Sequence, residues 1–390
     1  MTAAESNIGK FYLCTVLGGL TFFHGILGFY LRQIGFSYVQ IFSIAALCEA
    51  LNVVLEIPTG ALADTCGLRK TVTVGHAVSA ASCFLVALLP SSYALFLGWA
   101  VLSAVCSTLN SGSWEALQYE SLRAVGREAA YATLRGRLLA IHFAGRALSG
   151  VAGGAICDVL GFRQVMLLGS VTGTAMTLVI ASMHDPLAVH RDRPTSTVRL
   201  MVDSFRAVRG NRLLRTAVLM GGVLLAAGAI VSNYAQPCLE RVGTKSYTTV
   251  GIVGFALTSL AALASWTAGS AQRRMGDRRV LGLVCCLVVL SLAGLGPLGG
   301  WFLLGPLAIA KVGTGLAEPV LSEMVARSSP QGMLATTMSS QNMVFSLTFA
   351  GWGLLLGTGL DLAGPIPAFL ASAGLLAAVL AMMGAQRRRT

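Results

Sequence analysis

The chain has 390 residues, 55% of them hydrophobic and only 11% charged, with a mean hydropathy of +0.73. A soluble domain carries roughly a quarter charged residues, so this composition excludes a water-facing globule and makes lipid the solvent. A net charge of +12 would suit a nucleic-acid binder, but the basic residues gather between apolar runs, which is the pattern of membrane orientation, and no nucleic-acid partner is expected.

The chain opens on the polar stretch MTAAESNIGK. No small-residue cleavage site follows the first apolar run, which is too long for a signal-peptide core, so it is expected to stay as the first span. Twelve runs are apolar enough to cross a bilayer: 9–31, 38–60, 70–89, 93–120, 130–157, 163–183, 213–237, 247–270, 279–299, 301–326, 333–359 and 364–384. Each is expected to be a helix, because a lone spanning segment must satisfy its backbone internally. With the N-terminus inside, Lys10, Arg69, Lys70, Arg123, Arg127, Arg135, Arg137, Arg327 and the arginines of 191–215, 273–279 and 387–389 lie on the inner side. Only Arg32, Arg163, Arg241 and Lys245 lie outside. That asymmetry predicts a multi-pass cell-membrane protein with both termini cytoplasmic.

Between the second and third runs lies EIPTGALADTCGLRK, residues 56–70. Gly60 and Gly67 permit close packing and positive φ. Asp64 is an acceptor suited to a helix N-terminus or an arginine. With Glu56, Arg69 and Lys70 it reads as a tight polar turn, and as a clasp at the inner face. A plain inside-positive turn is the simpler reading. In the fifth run Gly136, Gly145, Gly150, Gly153 and Gly154 form a small-residue stripe for close helix packing. The polar gap 184–212 contains RLMVDSFRAVRGNR, in which Met201, Phe205 and Val208 share a face opposite Arg199, Asp203 and Arg206. It reads as a basic amphipathic helix on the inner surface. The gap divides the chain into a bundle at 1–183, a linker at 184–212 and a second bundle at 213–390.

The two halves repeat. Gly112, Glu115 and Glu120 recur 203 residues on as Gly315, Glu318 and Glu323, and Gly154, Asp158 and Gly161 recur at the same offset as Gly357, Asp361 and Gly364. Gly60, Gly67, Arg69 and Lys70 align with Gly269, Gly276, Arg278 and Arg279 at an offset of 209. Constant spacing at two separate places marks an internal duplication of the six-helix halves. The expected fold is therefore an all-α membrane protein of about twelve spans in two pseudo-symmetric six-helix bundles.

Ionisable residues inside spans are costly and mark pathways or paired sites. Glu49, Arg146 and Lys311 lie near the middle of their runs, Glu115 and Glu318 nearer the inner face, and His24 and His142 complete the set. A carboxylate that alternates between water and a basic partner can load and release a proton. Glu49 is the first candidate for that role, with Glu115, Glu318, His24 and His142 behind it. Glu115 and Glu318 can equally pair with loop arginines, and each histidine can be a hydrogen-bonded packing residue. Arg146 and Lys311 suit an acidic group of a substrate, or else neutralise a nearby glutamate. Asn52, Asn110, Trp114, Asn233, Gln236, Gln341 and Asn342 are candidates to line the same cavity, an interhelical hydrogen bond being the simpler role for any one amide. The nine cysteines show no CxxC pair and no metal-ligand spacing. They read as packing residues, and neither metal nor other cofactor is expected. No G-x-S-x-G, HExxH or phosphate-loop motif is present, so no enzymatic activity is expected.

The 56–70 stretch resembles the loop between helices 2 and 3 of the major facilitator superfamily. Gly60, Asp64, Gly67 and Arg69 stand at the matching positions, while Thr65 and Leu68 replace the usual basic residues. The stripe in the fifth run is similar to the motif of that superfamily's proton-coupled exporters, with Ser149 in place of one glycine and Gly150 in place of the proline. EIPTG and SGSWEAL add to the likeness to the drug:proton antiporter branch. The resemblance implies rocking of two halves around a central cavity, proton entry driving export of a small amphiphilic compound, and a monomer surrounded by lipid. An uptake symporter on the same fold is the alternative, and a non-transporting receptor or scaffold the more distant one.

Overall fold

The structure is a computed structural model and describes residues 3–127, 130–185, 206, 208–328 and 334–388. The described residues form fourteen α-helices, with short 3-10 turns at Leu239–Val242 and Gly300–Leu303. In chain order the helices are α1 Ala3–Gly19, α2 Leu27–Gln33, α3 Tyr38–Cys66, α4 Leu68–Leu88, α5 Tyr93–Asn110, α6 Ser113–Arg123 and α7 Tyr131–Leu160. They continue as α8 Phe162–Ala181, α9 Arg212–Cys238, α10 Tyr247–Met275, α11 Asp277–Leu295, α12 Leu304–Ser328, α13 Leu334–Leu362 and α14 Pro365–Arg388. Eleven segments are long and apolar enough to span a bilayer. The chain is a multi-pass membrane protein. Bulky apolar side chains such as Trp266 (85% exposed) and Leu355 (69%) point away from the protein, as a chain surrounded by acyl tails allows.

Three boundaries differ from those read in the sequence. The first run is not one helix: the chain leaves α1 after Gly19 and resumes helix only at Leu27. The fourth breaks at Gly112, whose φ of 71° ends α5 and starts α6. The stretch 56–70 is not a loop, since α3 continues through Pro58 to Cys66 and Gly67 alone makes the turn, at φ 93°. The amphipathic helix expected at 184–212 lies mostly outside the described residues.

The described residues group into two compact units. One holds 1–27, 50–197 and 246–254, and the other 28–49, 198–245 and 255–390. Both α3 and α10 are therefore shared: α3 changes unit between Glu49 and Ala50, and α10 between Gly254 and Phe255. In the first unit α4 packs on α8 and α5, and α1 on α7 and α6. Its core is Phe11 and Cys14 of α1, Val72 of α4, Leu117 and Leu122 of α6, Leu134 and Leu138 of α7, and Met176 and Ile180 of α8. In the second unit α11 packs on α14 and α12, and α9 on α13 and α12. These are the same pairings, helix for helix, so the internal repeat extends from sequence to packing. Tyr234 of α9 is fully buried there, edge-on to Phe369 at 4.6 Å. The repeat also holds at two turns: Gly67 and Gly276 start α4 and α11, and Gly161 and Gly364 follow α7 and α13, all four with φ between 77° and 93°. Only glycine adopts that backbone without strain. All nine cysteines are free thiols.

Candidate functional site

In the first unit the break at 20–26 is shaped by the glycine stripe of α7. A methyl group added to Gly145 would lie 3.3 Å from the Gly19 Cα, and one added to Gly153 would lie 2.0 Å from the Phe22 carbonyl oxygen. The Ser149 hydroxyl donates to the Gly19 carbonyl at 3.0 Å. Ser149, which stands where the exporter motif has glycine, thus adds a second donor to a carbonyl that already accepts from the Thr21 amide at 2.9 Å. Gly136 meets nothing within 4 Å and takes no part. The close contact sets Gly19 against the backbone of His142 and Arg146 in α7, 3.2 Å from the His142 carbonyl oxygen and 3.5 Å from the Arg146 amide nitrogen for an added methyl group, five residues before His24. The His24 ring stacks on Phe23 at 4.6 Å. Among the described residues no ion pair includes Arg146.

Deeper in the same unit, Asn110 donates to the Cys106 carbonyl at 2.8 Å, and its Oδ1 is buried with no partner among the described residues, as is that of Asn52. Trp114 packs edge-on against Phe11 and faces His76. Glu115 accepts a 2.6 Å ion-pair hydrogen bond from Arg135. Arg69 donates to the carbonyls of Ala181 and Met183, 3.2 Å each, and its Nε lies 3.9 Å from Asp185. A cation on the last carbonyls of a helix is favourable there, and the contact fastens the turn after α3 to the end of α8. Lys10 donates to the Ser182 carbonyl beside it. Lys70 is exposed and Glu56 half-buried, while the side-chain environments at 60 and 64 fall outside the described residues.

In the second unit Glu49 of α3 accepts a 2.7 Å hydrogen bond from the Ser346 hydroxyl of α13. Lys311 of α12 donates to Ser232 of α9 at 2.8 Å. Gln236 accepts from the Gly28 amide at 2.8 Å, and Asn233 bonds back to the Ala229 carbonyl of its own helix. Gln341 is buried beside Gly221, where a methyl group would meet its amide at 2.7 Å. Asn342 and Glu318 are exposed. Glu115 and Glu318 are repeat mates in sequence, but among the described residues only Glu115 has a basic partner, because Arg135 stands opposite it. By unit, His24, His142 and Arg146 belong to the first, and Glu49, Lys311 and Gln341, each with its own neighbour, belong to the second.

Two residues not singled out as site candidates each accept several hydrogen bonds at the start of another helix. They are Asp158 at the end of α7 and Asp361 at the end of α13. The 203-residue repeat contained both, and their shared place at a helix end, one turn after a glycine, was the signal.

A sequence profile described as Major Facilitator Superfamily matches residues 11–351. No curated protein sequence matches. Among solved structures, the nucleoside transporter NupG superposes with a TM-score of 0.76 at 14% identity, covering 99% of this chain and 99% of that one. A bacterial homolog to the human lysosomal transporter Spinster, inward-facing and unoccupied, gives 0.74 at 14% identity, covering 93% and 83%. A POT family transporter in complex with a thioalcohol-conjugated peptide gives 0.71 at 13% identity, covering 98% and 96%. At these identities the structures share the fold alone. The profile match covers most of the chain, and with it the duplicated helix packing and the charged side chains inside apolar spans have one explanation: the chain belongs to the major facilitator superfamily, and is a secondary transporter and not an enzyme.

Proposed function

We propose that this transporter couples proton entry to export of a small amphiphilic compound by alternating access, as a monomer in the cell membrane with both termini cytoplasmic. Glu49 carries the proton-coupling part. It is a carboxylate inside an apolar span, at the point where α3 passes from one compact unit to the other, and its one described hydrogen bond comes from a neutral hydroxyl. A carboxylate at such a joint changes its surroundings when the units move, and a change of surroundings changes its proton affinity. Arg146 and Lys311 are the cationic contacts for the compound carried, His24 and His142 stand beside Arg146 as secondary proton acceptors, and the buried amides of Asn52, Asn110 and Gln341 contribute hydrogen bonds. Arg69 fastens the inner end of α4 to α8. The α7 glycine stripe supports the outward direction, because it carries the spacing of the exporter motif and is packed against the break before α2.

Inside-out vesicles with an acidified lumen provide the test, with a panel of labelled amphiphiles. An exporter accumulates substrate in the lumen and alkalinises it. Accumulation only when the gradient is reversed would identify an uptake symporter, and a gradient-independent flux would remove the coupling.

A further inference from the structure

In the second unit, α13 and α14 touch near one end and part toward the other. A methyl group on Gly359 would lie 3.2 Å from the Ala368 Cβ. Two turns earlier in α13, the Trp352 Nε1 donates to the Ser372 hydroxyl at 3.1 Å. Beside it, nothing lies within 4 Å of a methyl group added to Gly351. The gap is a cavity of about 330 Å³ between α9, α13 and α14, with Val223, Leu347, Gly351, Trp352, Leu375 and Val379 in its walls. It opens sideways, since Leu347 is 62% exposed and Leu375 49%. Both stand within spanning segments, so the opening faces acyl chains.

One stripe of α9 leads from this cavity to positive charge. Over residues 214–224 every side chain of α9 is buried except Arg215, Thr216, Leu219 and Val223. Arg215, Leu219 and Val223 follow at intervals of four, so they share one face. At the helical rise, Arg215 stands about 12 Å along the axis from Val223. Arg215 is exposed and donates to the Arg209 carbonyl at 3.1 Å, and Arg209 is exposed beside it. Among the described residues no ion pair includes either arginine. Six spanning segments run from α9 to α14, so α14 ends, at Arg387 and Arg388, on the side where α9 begins. The cavity therefore has apolar walls at depth and arginines at one rim. One leaflet of hydrocarbon is about 15 Å deep, which is the reach from Arg215 past Leu219 to the cavity.

We propose that this groove holds one acyl chain of an anionic phospholipid, with the phosphate of its headgroup on Arg215 and Arg209. The walls accept any acyl chain, so selectivity comes from the rim. Guanidinium and phosphate form charge-assisted hydrogen bonds, and a net negative headgroup adds attraction that a zwitterionic one, carrying its own cation, does not. The whole site lies within one compact unit. It includes none of the side chains assigned to transport, and it needs only that the chain is a membrane protein.

The experiment is native mass spectrometry of the full-length protein released from nanodiscs of equal phosphatidylglycerol and phosphatidylcholine with matched acyl chains. Wild type is expected to retain one phosphatidylglycerol in preference to phosphatidylcholine. Arg215→Gln is expected to lower that retention about fivefold, the effect of one arginine near an anionic surface. Gly351→Leu, which fills the groove from a position with open space around it, is expected to remove the retained lipid. Arg274→Gln, exposed at the end of α10 on the same side, is the control and should change nothing. Equal retention of the two lipids by wild type would overturn the proposal. So would an equal loss in Arg274→Gln, which would show diffuse attraction, or retention unchanged in Gly351→Leu, which would show a headgroup without a groove. A dimer that Gly351→Leu dissociates would put a second copy in the cavity and overturn it too. If Arg215→Gln does not assemble, Arg209→Gln must show the same selective loss, and its absence overturns the site. No transport is measured, so a failed lipid site leaves the transport reading where it stands.

Discussion

Replacing Gly153 with alanine tests whether the α7 stripe is packing of a defined kind or a general preference for small residues. The added methyl group would stand 2.0 Å from the Phe22 carbonyl oxygen, 2.7 Å from its carbonyl carbon and 3.0 Å from its Cα. Ordinary contact begins near 3.4 Å, so the backbone of the break must retreat by more than an ångström, and no side chain can rotate to make room. Overpacking of this kind costs about 1–3 kcal/mol when flexible side chains absorb it, and rigid backbone puts this site at the upper end. Alanine returns about 1 kcal/mol of helix propensity, which leaves a net loss of about 1–2 kcal/mol. At roughly 2–4 °C per kcal/mol for a unit of this size, the midpoint of thermal unfolding should fall by several degrees. Gly136→Ala is the internal control, because nothing lies within 4 Å of its methyl position. There the propensity term acts alone and the midpoint should hold or rise. The assay is thermal unfolding of both variants in one detergent, followed by monodispersity. Gly153→Ala melting at or above Gly136→Ala would refute the reasoning.

Three further outcomes follow from the same geometry. Glu49→Gln should abolish substrate movement driven by a pH gradient while substrate counterflow persists in part, and a variant that still responds to the gradient would remove Glu49 from coupling. Arg146→Ala should weaken binding of substrates with an acidic group by roughly tenfold or more, since a hydrogen bond to a charged group contributes about 1.5–3 kcal/mol. Neutral substrates should bind as before, and equilibrium binding to the purified protein separates the two cases. Gly67→Ala forces a methyl-bearing residue to φ 93°, ψ 146°, a region held almost only by glycine where an L-residue loses roughly 1–3 kcal/mol, so the midpoint should drop. Gly254→Ala, in open space on α10, should be neutral or stabilising in the same assay.

Most of the fold was legible because the bilayer makes it so: an apolar run of about twenty residues has one way to satisfy its backbone, and the offsets of 203 and 209 exposed the duplication. The helix ends were not legible on the same grounds. Residues 20–26 are as apolar as the helices around them, and only the contact with Gly145 and Gly153, far along the chain, interrupts them. The 56–70 stretch misled in the opposite direction. Its glycines, proline and charges suggested a loop, yet all of it but Gly67 is helix, α3 as far as Cys66 and α4 from Leu68, because a helix in an apolar medium tolerates proline and glycine that water would not favour.

The site was legible by residue type and not by partner. Charge inside a span marked Glu49, Arg146 and Lys311 as candidates, but nothing local says that Ser346 faces Glu49 or that Ser232 faces Lys311. Asp158 and Asp361 show the same limit most clearly. Each sits at a helix end, where a carboxylate draws no attention, and its role depends on a helix start that the chain reaches only after Gly161 or that it left long before Asp361. Symmetry is what makes such residues findable from sequence. A residue kept at matching places in both halves, beside matching glycines, is constrained twice by one geometry, and that is a stronger signal than the apolar setting that first drew attention to the buried charges. On that ground the repeat-matched aspartates stand ahead of Glu115 and Glu318, whose sequence match ends in one ion pair and one exposed side chain.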